Sequence, residues 1–196
     1  MRLFAAVLPP GPAVAELARE VGTLRALPGA GRLRWAGRDG WHFTLAFYGE
    51  VPDETLPELR ERLARGARRH PPYGLRIAGG GRFADRVLWA GADGELTAIG
   101  KLAGTAAAAG RRAGLTGPDA AGRRGFTPHL TLARNRDPRV ELAPFAAALE
   151  SFEGSFWTVA EIALIRSHPP APGVAGARPH YETVDTWPLG GAPGPS

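Results

Sequence analysis

The sequence of 196 residues contains no cysteine. This absence excludes disulfides, thiolate nucleophiles and thiolate metal sites, and it fits a reducing compartment. Long apolar runs are also missing, because no stretch approaches the roughly 18 to 20 apolar residues that a membrane-spanning helix needs. The opening MRLFAAVLPPG carries one positive side chain and a short apolar run that ends at two prolines, so it predicts no secretory signal. We therefore expect a soluble, cytoplasmic protein.

Lysine is almost absent as well, although the chain is basic. Of 24 lysine and arginine residues only Lys101 is lysine, and the formal net charge is +5. A basic chain suits an anionic partner such as RNA. Arginine is abundant here together with glycine, alanine and proline, which is the composition that a GC-rich genome gives through its codons. The charge therefore permits nucleic acid as a partner and does not require it.

The hydrophobic pattern predicts an α+β fold with mostly antiparallel sheets. Apolar runs and alternating patterns predict strands, and apolar residues at helical spacing predict helices. The predicted strands cover 2–8, 32–37, 41–51, 73–83, 86–92, 125–134, 156–167 and 180–187, and the predicted helices cover 12–27, 53–69, 95–115 and 141–152. The candidate linkers are too short to separate independent domains. We predict one domain of two lobes over residues 1–189 and a flexible tail over 190–196.

One short pattern occurs twice. The chain reads HFTL at residues 42–45 and HLTL at residues 129–132. Successive side chains of a strand point to opposite faces, so each histidine shares a face with the threonine two positions later. The leucines and the phenylalanine between them point the other way and can anchor the strand. Each copy thus offers an imidazole beside a hydroxyl group.

The pair of motifs indicates acid–base chemistry more than metal binding. A single histidine on an apolar strand is usually structural, but chance explains the repeat poorly. Catalytic zinc normally takes three protein ligands, and the remaining histidines show no ligand spacing, so we interpret His70, His168 and His180 as surface or structural residues. Because the unperturbed pKa of histidine lies near 6.5, one imidazole can act as a base and another as an acid. The hydroxyls can bind phosphate oxygens between them.

The chain resembles a known family at these motifs and around them. The segments RLRWAGRDGWHFTLAFYGEV and RRGFTPHLTLAR, with RLFAAVLPP near the start and HYETVDTWPL near the end, resemble the RNA 2′,3′-cyclic phosphodiesterases. These enzymes, historically called 2′-5′ RNA ligases, are part of the two-histidine phosphoesterase superfamily. The resemblance covers about residues 2 to 189. It implies a bilobal fold with a pseudo-twofold axis around a central cleft. It also implies hydrolysis of RNA 2′,3′-cyclic phosphate ends to 2′-phosphomonoesters without metal or cofactor. Separately, we expect the protein to be a monomer.

The resemblance also implies roles for individual residues. His42 matches the proton donor and His129 the proton acceptor, an assignment that spacing alone does not make. Thr44 and Thr131 match the phosphate-binding threonines. Arg134 matches an arginine that commonly follows the second motif and binds phosphate.

Strand alternation argues against that arginine. Position 134 is an odd number of steps from position 129, so a straight strand points Arg134 away from His129. A bend would reverse this, and Arg124 is a second candidate with the same difficulty. Four aromatic residues could stack on a base, although core packing is the favoured interpretation of each: Trp35, Trp41, Tyr48 and Tyr181.

Two departures from the family pattern leave the motifs intact. Tyr48 stands where an aliphatic residue is usual, and a run of three glycines at 79–81 is expected to alter a loop at the cleft rim. Two alternative functions remain open. One is 2′-5′ RNA ligation by reversal of the reaction, and the other is a nucleotide-binding module with little or no catalysis. A variant of the enzyme hypothesis acts on small cyclic nucleotides or ADP-ribose cyclic phosphate.

Overall fold

The structure is a computed structural model, and it describes residues 1–115, 117, 125–170 and 178–190. It confirms the predicted α+β class, with two antiparallel sheets flanked by helices. Within the described residues no helix is both long and apolar enough to cross a membrane. Most of the predicted tail, residues 191–196, lies outside the described residues, so its flexibility stays a prediction. The single-domain boundary at residue 189 likewise stays a prediction.

The first sheet combines strands from the two ends of the described chain. Its four strands are β1 (Arg2–Val7), β3 (Phe43–Glu50), β8 (Glu161–His168) and β9 (His180–Pro188), in the spatial order β3-β1-β8-β9. Every pairing in it is antiparallel. The strand that carries the first motif is therefore an edge strand next to β1.

The second sheet carries the second motif. Its strands are β2 (Arg34–Trp35), β4 (Tyr73–Phe83), β5 (Val87–Gly94), β6 (Leu130–Arg134) and β7 (Trp157–Val159), in the spatial order β2-β6-β5-β4-β7. All of its pairings are antiparallel as well. The edge strand beside β6 is β2, which is only two residues long. Most of β6 therefore lies close to the edge of the sheet.

In the described part of the chain four α-helices cover the sheets, and each falls within or close to its predicted range. They are α1 (Gly11–Leu24), α2 (Leu56–Ala67), α3 (Leu96–Arg112) and α4 (Ala143–Leu149). Buried residues recur at helical spacing, as with Leu56, Leu59 and Leu63 on α2. Pro144 lies in the first turn of α4, where a missing backbone N–H costs nothing.

Four predicted strands differ from the structure. The strand predicted over 32–37 is reduced to the two residues of β2 and follows a short 3-10 helix at Ala30–Arg32. The strand predicted over 156–167 is split at Ala160 into β7 and β8, which join different sheets. The strands predicted to begin at 125 and 41 begin at Leu130 and Phe43. Pro128 has no N–H to give to a ladder, which explains the late start of β6. Both motif histidines therefore lie just before the first paired residue of their strands.

The three glycines do not form a loop at the cleft rim, so that prediction was wrong. They lie within β4, where the pairing with β5 shifts after Ile77. A side chain at Gly80 would lie 2.7 Å from Leu149 of α4, and one at Gly81 would overlap the Trp89 ring. The glycines therefore let β4 pass closely beneath a helix and an indole ring.

The core divides at β1 into two sides. Leu3, Ala5 and Val7 belong to the large apolar cluster that joins the sheets to the helices. Phe4 and Ala6 point to the opposite face and form a small second cluster with residues of β8. This second face of the first sheet is the one that meets the cleft.

Candidate active site

One cleft, with a volume of about 1430 Å³, receives both motifs. The structure brings all five residues of the predicted site to its lining, namely His42, Thr44, His129, Thr131 and Arg134. Arg178, Pro179 and Tyr181, at and just before the start of β9, and the rim of the second sheet complete the walls. The other candidate arginine, Arg124, lies outside the described residues.

A β-bulge follows the threonine of the first motif. Thr44 pairs with Ala6 of β1, but Ala46 pairs with Ala5, so Leu45 is an extra residue in β3. An extra residue shifts the alternation of side chains by one position. As a result Phe47 returns to the cleft side with Thr44, while Leu45 and Ala46 are both buried.

The second motif repeats this bulge at the equivalent position. Thr131 pairs with Trp89 of β5 and Ala133 pairs with Leu88, so Leu132 is the extra residue. Leu132 and Ala133 are fully buried. The shift returns Arg134 to the face of Thr131, where it is exposed and lines the cleft. The expectation that alternation points Arg134 away was therefore wrong, because it assumed a regular strand.

The first histidine is held between aromatic rings. The ring of His42 lies 4.6 Å from that of Phe4 and 5.0 Å from that of Tyr181, between centroids. Burial lowers the pKa of His42 to about 4; the carboxylate of Asp39 opposes this shift and the charge of His129 adds to it. His42 is therefore neutral at neutral pH in the free protein.

The second histidine has a fixed tautomer. His129 Nδ1 lies 2.9 Å from the carbonyl oxygen of Thr127. Because a carbonyl only accepts hydrogen bonds, Nδ1 carries the proton, and in the neutral ring Nε2 keeps its lone pair. The ring meets Phe83 edge-on at 4.9 Å, and Trp89 lies 6.1 Å away. His129 is thus oriented with a basic nitrogen available for a proton.

The described lining of the cleft is strongly basic. Seven arginines contribute to it: Arg2, Arg25, Arg34, Arg111, Arg134, Arg136 and Arg178. Asp39 is the one acidic residue among the described lining residues. The charge of Arg134 acts on Tyr181, whose pKa is raised mainly by burial. The excess of guanidinium groups makes the cleft a site for an anion.

The four aromatic residues that could stack on a base lie in different surroundings. Trp41 and Tyr48 are buried in the core, which agrees with the favoured interpretation of both, and Trp35 is nearly buried with its Nε1 donating to the Ala30 carbonyl at 2.9 Å. Tyr181 instead forms a wall of the cleft. A residue with a side chain at Gly40 would lie 3.3 Å from the Tyr181 ring, so the glycine permits this close approach.

Two phenylalanines at the cleft rim were missed. Phe83 and Phe126 are 43% and 37% exposed, and both line the cleft. Phe126 precedes the second motif in the segment that carries the resemblance, where it counts only as part of the pattern. Phe83 lies far from either motif in sequence, and it reaches His129 only because β4 pairs with β5, which in turn pairs with β6. No local signal in the sequence identifies it.

The three other histidines lie apart from the motifs. His70 is hydrogen-bonded to Thr105 at 2.8 Å, and His168 pairs with Glu182 at 3.0 Å. His180 lies 5.6 Å from His168, ring to ring, on the neighbouring strand. Within the described ranges no three histidine, aspartate or glutamate side chains converge as metal ligands. The metal-free mechanism stays a prediction.

Comparison with known families identifies the fold and the motifs together. The family model described as the 2′-5′ RNA ligase superfamily matches residues 13–170, which include both motifs. The chain belongs to this superfamily. The resemblance on which the sequence interpretation depends is therefore confirmed.

Curated proteins are similar to the chain over most of its length. An RNA 2′,3′-cyclic phosphodiesterase of Geobacillus stearothermophilus is 32% identical over 81% of this chain and 48% of its own. The chain thus spans about half the length of that relative. An enzyme of the same name from Thermus thermophilus is 34% identical over 78% of this chain and 74% of its own. These names support the prediction that the chain is a hydrolase.

Solved structures of the superfamily share the whole architecture. Escherichia coli LigT in its apo form has a TM-score of 0.73 at 26% identity and covers 96% of both chains. A structure from Thermus thermophilus has a TM-score of 0.72 at 28% identity, over 97% of this chain and 99% of that one. The predicted bilobal fold around a central cleft is confirmed.

Proposed function

We propose that the protein hydrolyses RNA 2′,3′-cyclic phosphate ends to 2′-phosphomonoesters, with His129 as general base and His42 as general acid. One observation carries the proposal: two histidine–threonine pairs meet in a single arginine-rich cleft. A terminal cyclic phosphate is an anion with two oxygens outside the ring, and the hydroxyls of Thr44 and Thr131 can donate to them. The names of the curated relatives support the same reaction.

The tautomer of His129 supports its role as the base. With Nδ1 held by the Thr127 carbonyl, Nε2 accepts a proton from the water that attacks phosphorus. The new bond joins the water oxygen to phosphorus, and the bond from phosphorus to the 3′-oxygen breaks. His42 gives its proton to that departing oxygen. The product carries a 2′-phosphate and a 3′-hydroxyl, and proton exchange with solvent resets both rings.

The low pKa of His42 means that the ring can act as an acid only after substrate has bound beside it. In the free protein His42 is neutral at neutral pH, because burial disfavours the imidazolium. An anionic phosphate beside the ring favours the charged form and raises its pKa. His42 therefore takes up its proton as substrate binds, and the acid is assembled only in the complex.

Arg134 and the threonines stabilise charge on the phosphoryl oxygens. Arg134 is exposed to the cleft and its planar guanidinium can donate two hydrogen bonds to one phosphate. Preorganised donors of this kind reduce the barrier because charge grows on those oxygens in the transition state. The mechanism derived from these residues uses no metal and no cofactor.

The deciding experiment is a hydrolysis assay in excess EDTA on a 2′,3′-cyclic nucleotide, with the 2′- and 3′-phosphate products resolved. We expect wild-type activity to survive chelation and to give only the 2′ product. His42→Ala and His129→Ala proteins should each lose most of the activity. Equal turnover by either variant, or activity that returns only with added zinc, would contradict the proposal.

Ligation of two RNA ends is the second candidate function, and the large volume of the cleft supports it. Its volume of about 1430 Å³ exceeds the roughly 300–1,000 Å³ of an ordinary small-molecule site. The extra space can admit the 5′-hydroxyl end of a second strand, which would replace water as the nucleophile and form a 2′-5′ linkage. Product analysis with two RNA halves separates ligation from hydrolysis.

A further inference from the structure

A second basic depression lies outside the cleft, between α2 and α3. We call it the α2–α3 groove; its volume is about 510 Å³. Ten described residues line it, and six of them are basic or imidazole side chains: Arg62, Arg65, Arg69, His70, Lys101 and Arg112. Its described lining contains no acidic residue. Neither motif contributes to it.

Helix geometry explains why these side chains converge. Positions 62 and 65 lie on one stripe of α2, and Arg69 follows two residues beyond the end of that helix. Positions 101, 105, 108 and 112 fall on one stripe of α3. The two helices approach closely at Gly66, where a Cβ would lie 2.7 Å from the Thr105 methyl group. His70 closes the floor with its 2.8 Å hydrogen bond to Thr105.

Half of the basic groups in the groove are uncompensated. Arg62 and Arg65 each pair with a glutamate one turn earlier on α2. Arg69, Lys101 and Arg112 are exposed, and among the described residues none has a carboxylate within ion-pair distance. Gathering like charges without a counter-ion destabilises the fold. An anionic ligand accounts for the arrangement.

The groove and the cleft lie on two sides of one helix and share a lining residue. Gly104 of α3 lines both, while Arg111 faces the cleft and the adjacent Arg112 faces the groove. The side of α3 toward the cleft carries small residues, Ala103 and Ala107 among them. An α-helix is about 10 Å across, so a strand of a few nucleotides can span the distance.

We propose that the α2–α3 groove binds the phosphate backbone of the RNA upstream of the terminus held in the cleft. This inference rests on the proposed function. The ligand is single-stranded RNA, because the groove lies directly across α3 from the cleft and is within reach of the same substrate strand. Each cation there contacts phosphate and carries no sequence information. The groove therefore adds affinity for long substrates and leaves the chemistry unchanged.

The test compares substrates of different length in one charge variant. Arg69→Gln, Lys101→Gln and Arg112→Gln are combined, and kinetics are measured on a 2′,3′-cyclic mononucleotide and on cyclic-phosphate-ended oligonucleotides of increasing length. In wild type the KM should fall with length and then level off. In the variant we expect a KM for the longest substrate about tenfold higher or more, with kcat and all mononucleotide constants unchanged.

Salt gives an independent readout. Each phosphate contact to a single strand contributes about 0.7 to the slope of log affinity against log salt. Loss of three contacts should reduce that slope by about 2 for the long substrate and leave the mononucleotide unaffected. A control with the same charge loss uses Arg19→Gln, Arg60→Gln and Arg139→Gln, none of which lines the cleft or the groove.

The outcomes separate this inference from the proposed function. An unchanged KM for long RNA in the groove variant, an equal loss on the mononucleotide, or the same effect in the control overturns the groove. The inference also fails if the groove variant keeps its affinity for RNA but loses binding to phosphatidylserine vesicles, because the groove would then bind a membrane surface and not RNA. Binding of a labelled oligonucleotide, followed by fluorescence anisotropy, tests the groove without turnover. If wild type hydrolyses no cyclic phosphate, the proposed function fails and the anisotropy result still decides the groove.

Discussion

The two motif strands share a design and differ in their surroundings. In each, a histidine lies just before the strand, a threonine points to the cleft, and a β-bulge directly follows the threonine. His42 is enclosed by Phe4 and Tyr181, whereas His129 stands at the rim beside the exposed Phe83. One imidazole is desolvated and the other is held by a backbone carbonyl. The pseudo-symmetry of the fold thus supplies two similar groups, and their different environments are the basis of the different roles proposed for them.

The position after each bulge shows a second asymmetry. Five residues beyond each histidine the bulge presents a side chain to the cleft, and this is Phe47 in β3 and Arg134 in β6. Phe47 stacks on Phe4 with 6.3 Å between centroids, and the Arg2 guanidinium lies 5.1 Å above it. The same type of β-bulge therefore orients an aromatic ring toward the cleft in one lobe and a guanidinium group in the other.

The largest expected effect distinguishes the roles of the two histidines. His42→Ala and His129→Ala should each reduce kcat by about 10² to 10⁴ on a natural cyclic phosphate. When sulfur replaces the bridging 3′-oxygen, the leaving group needs no proton. The His42→Ala protein should then recover most of its rate, and the His129→Ala protein should not. Recovery of the His129 variant alone would reverse the two assignments.

The burial of His42 predicts an acid-sensitive stability. Its pKa falls from 6.5 to about 4 on folding, so between these values the unfolded chain binds more protons. The contribution is fully present above pH 6.5 and is lost as the pH falls toward 4, at most about 3 kcal/mol. Urea unfolding of wild type and His42→Asn across this range measures it. The variant should lose less stability over this interval, and parallel curves would contradict the prediction.

Substituting the residue that follows each bulge tests the second difference between the two strands. Arg134→Gln removes a charge-assisted hydrogen bond, worth about 1.5–3 kcal/mol, and should lower kcat/KM by about 10- to 100-fold. Arg134→Lys keeps the charge without the planar fork and should recover only part of this. Phe47→Leu, the matched change in the other lobe, should alter kcat/KM far less. Similar losses at both positions would show that the bulge, and not the guanidinium, is what matters.

The smallest expected effect on activity concerns the aromatic neighbours of the two histidine rings. Phe83 is exposed, so Phe83→Ala should cost little stability and lower kcat through the lost edge contact, which is worth about 0.5–1.5 kcal/mol. Phe4 is buried, and Phe4→Ala should destabilise the fold by about 3–5 kcal/mol. Thermal unfolding and steady-state kinetics on both variants measure the difference. A larger stability loss at Phe83 than at Phe4 would contradict it.

Local patterns predicted the elements and the motif pairs well. The spacing of His42 and Thr44, repeated at His129 and Thr131, needs only the alternation of a strand, and the structure places all four in one cleft. The bulges were not predictable in this way, because an extra residue is defined by the partner strand. That is why the alternation rule failed at Arg134.

Long-range pairing explains the other errors. The tract 156–167 has the pattern of one strand, yet its two parts join different sheets, and only their partners determine this. The glycines at 79–81 resemble a loop until Trp89 and Leu149 are placed against them. Phe83 gains its position from the same pairings. Such features depend on contacts between segments far apart in sequence, which local propensity does not encode.

The interleaving of the first sheet has a consequence for synthesis. β1 and β3 emerge early from the ribosome, but β8, which lies between β1 and β9, begins only at residue 161. Until then the far edge of β1 has no partner, and the aromatic pocket of His42 lacks Tyr181. The cleft that holds both motifs therefore forms after nearly all described residues have been translated. A nascent chain arrested before residue 161 exposes unpaired strand edges, and such chains are expected to need a chaperone.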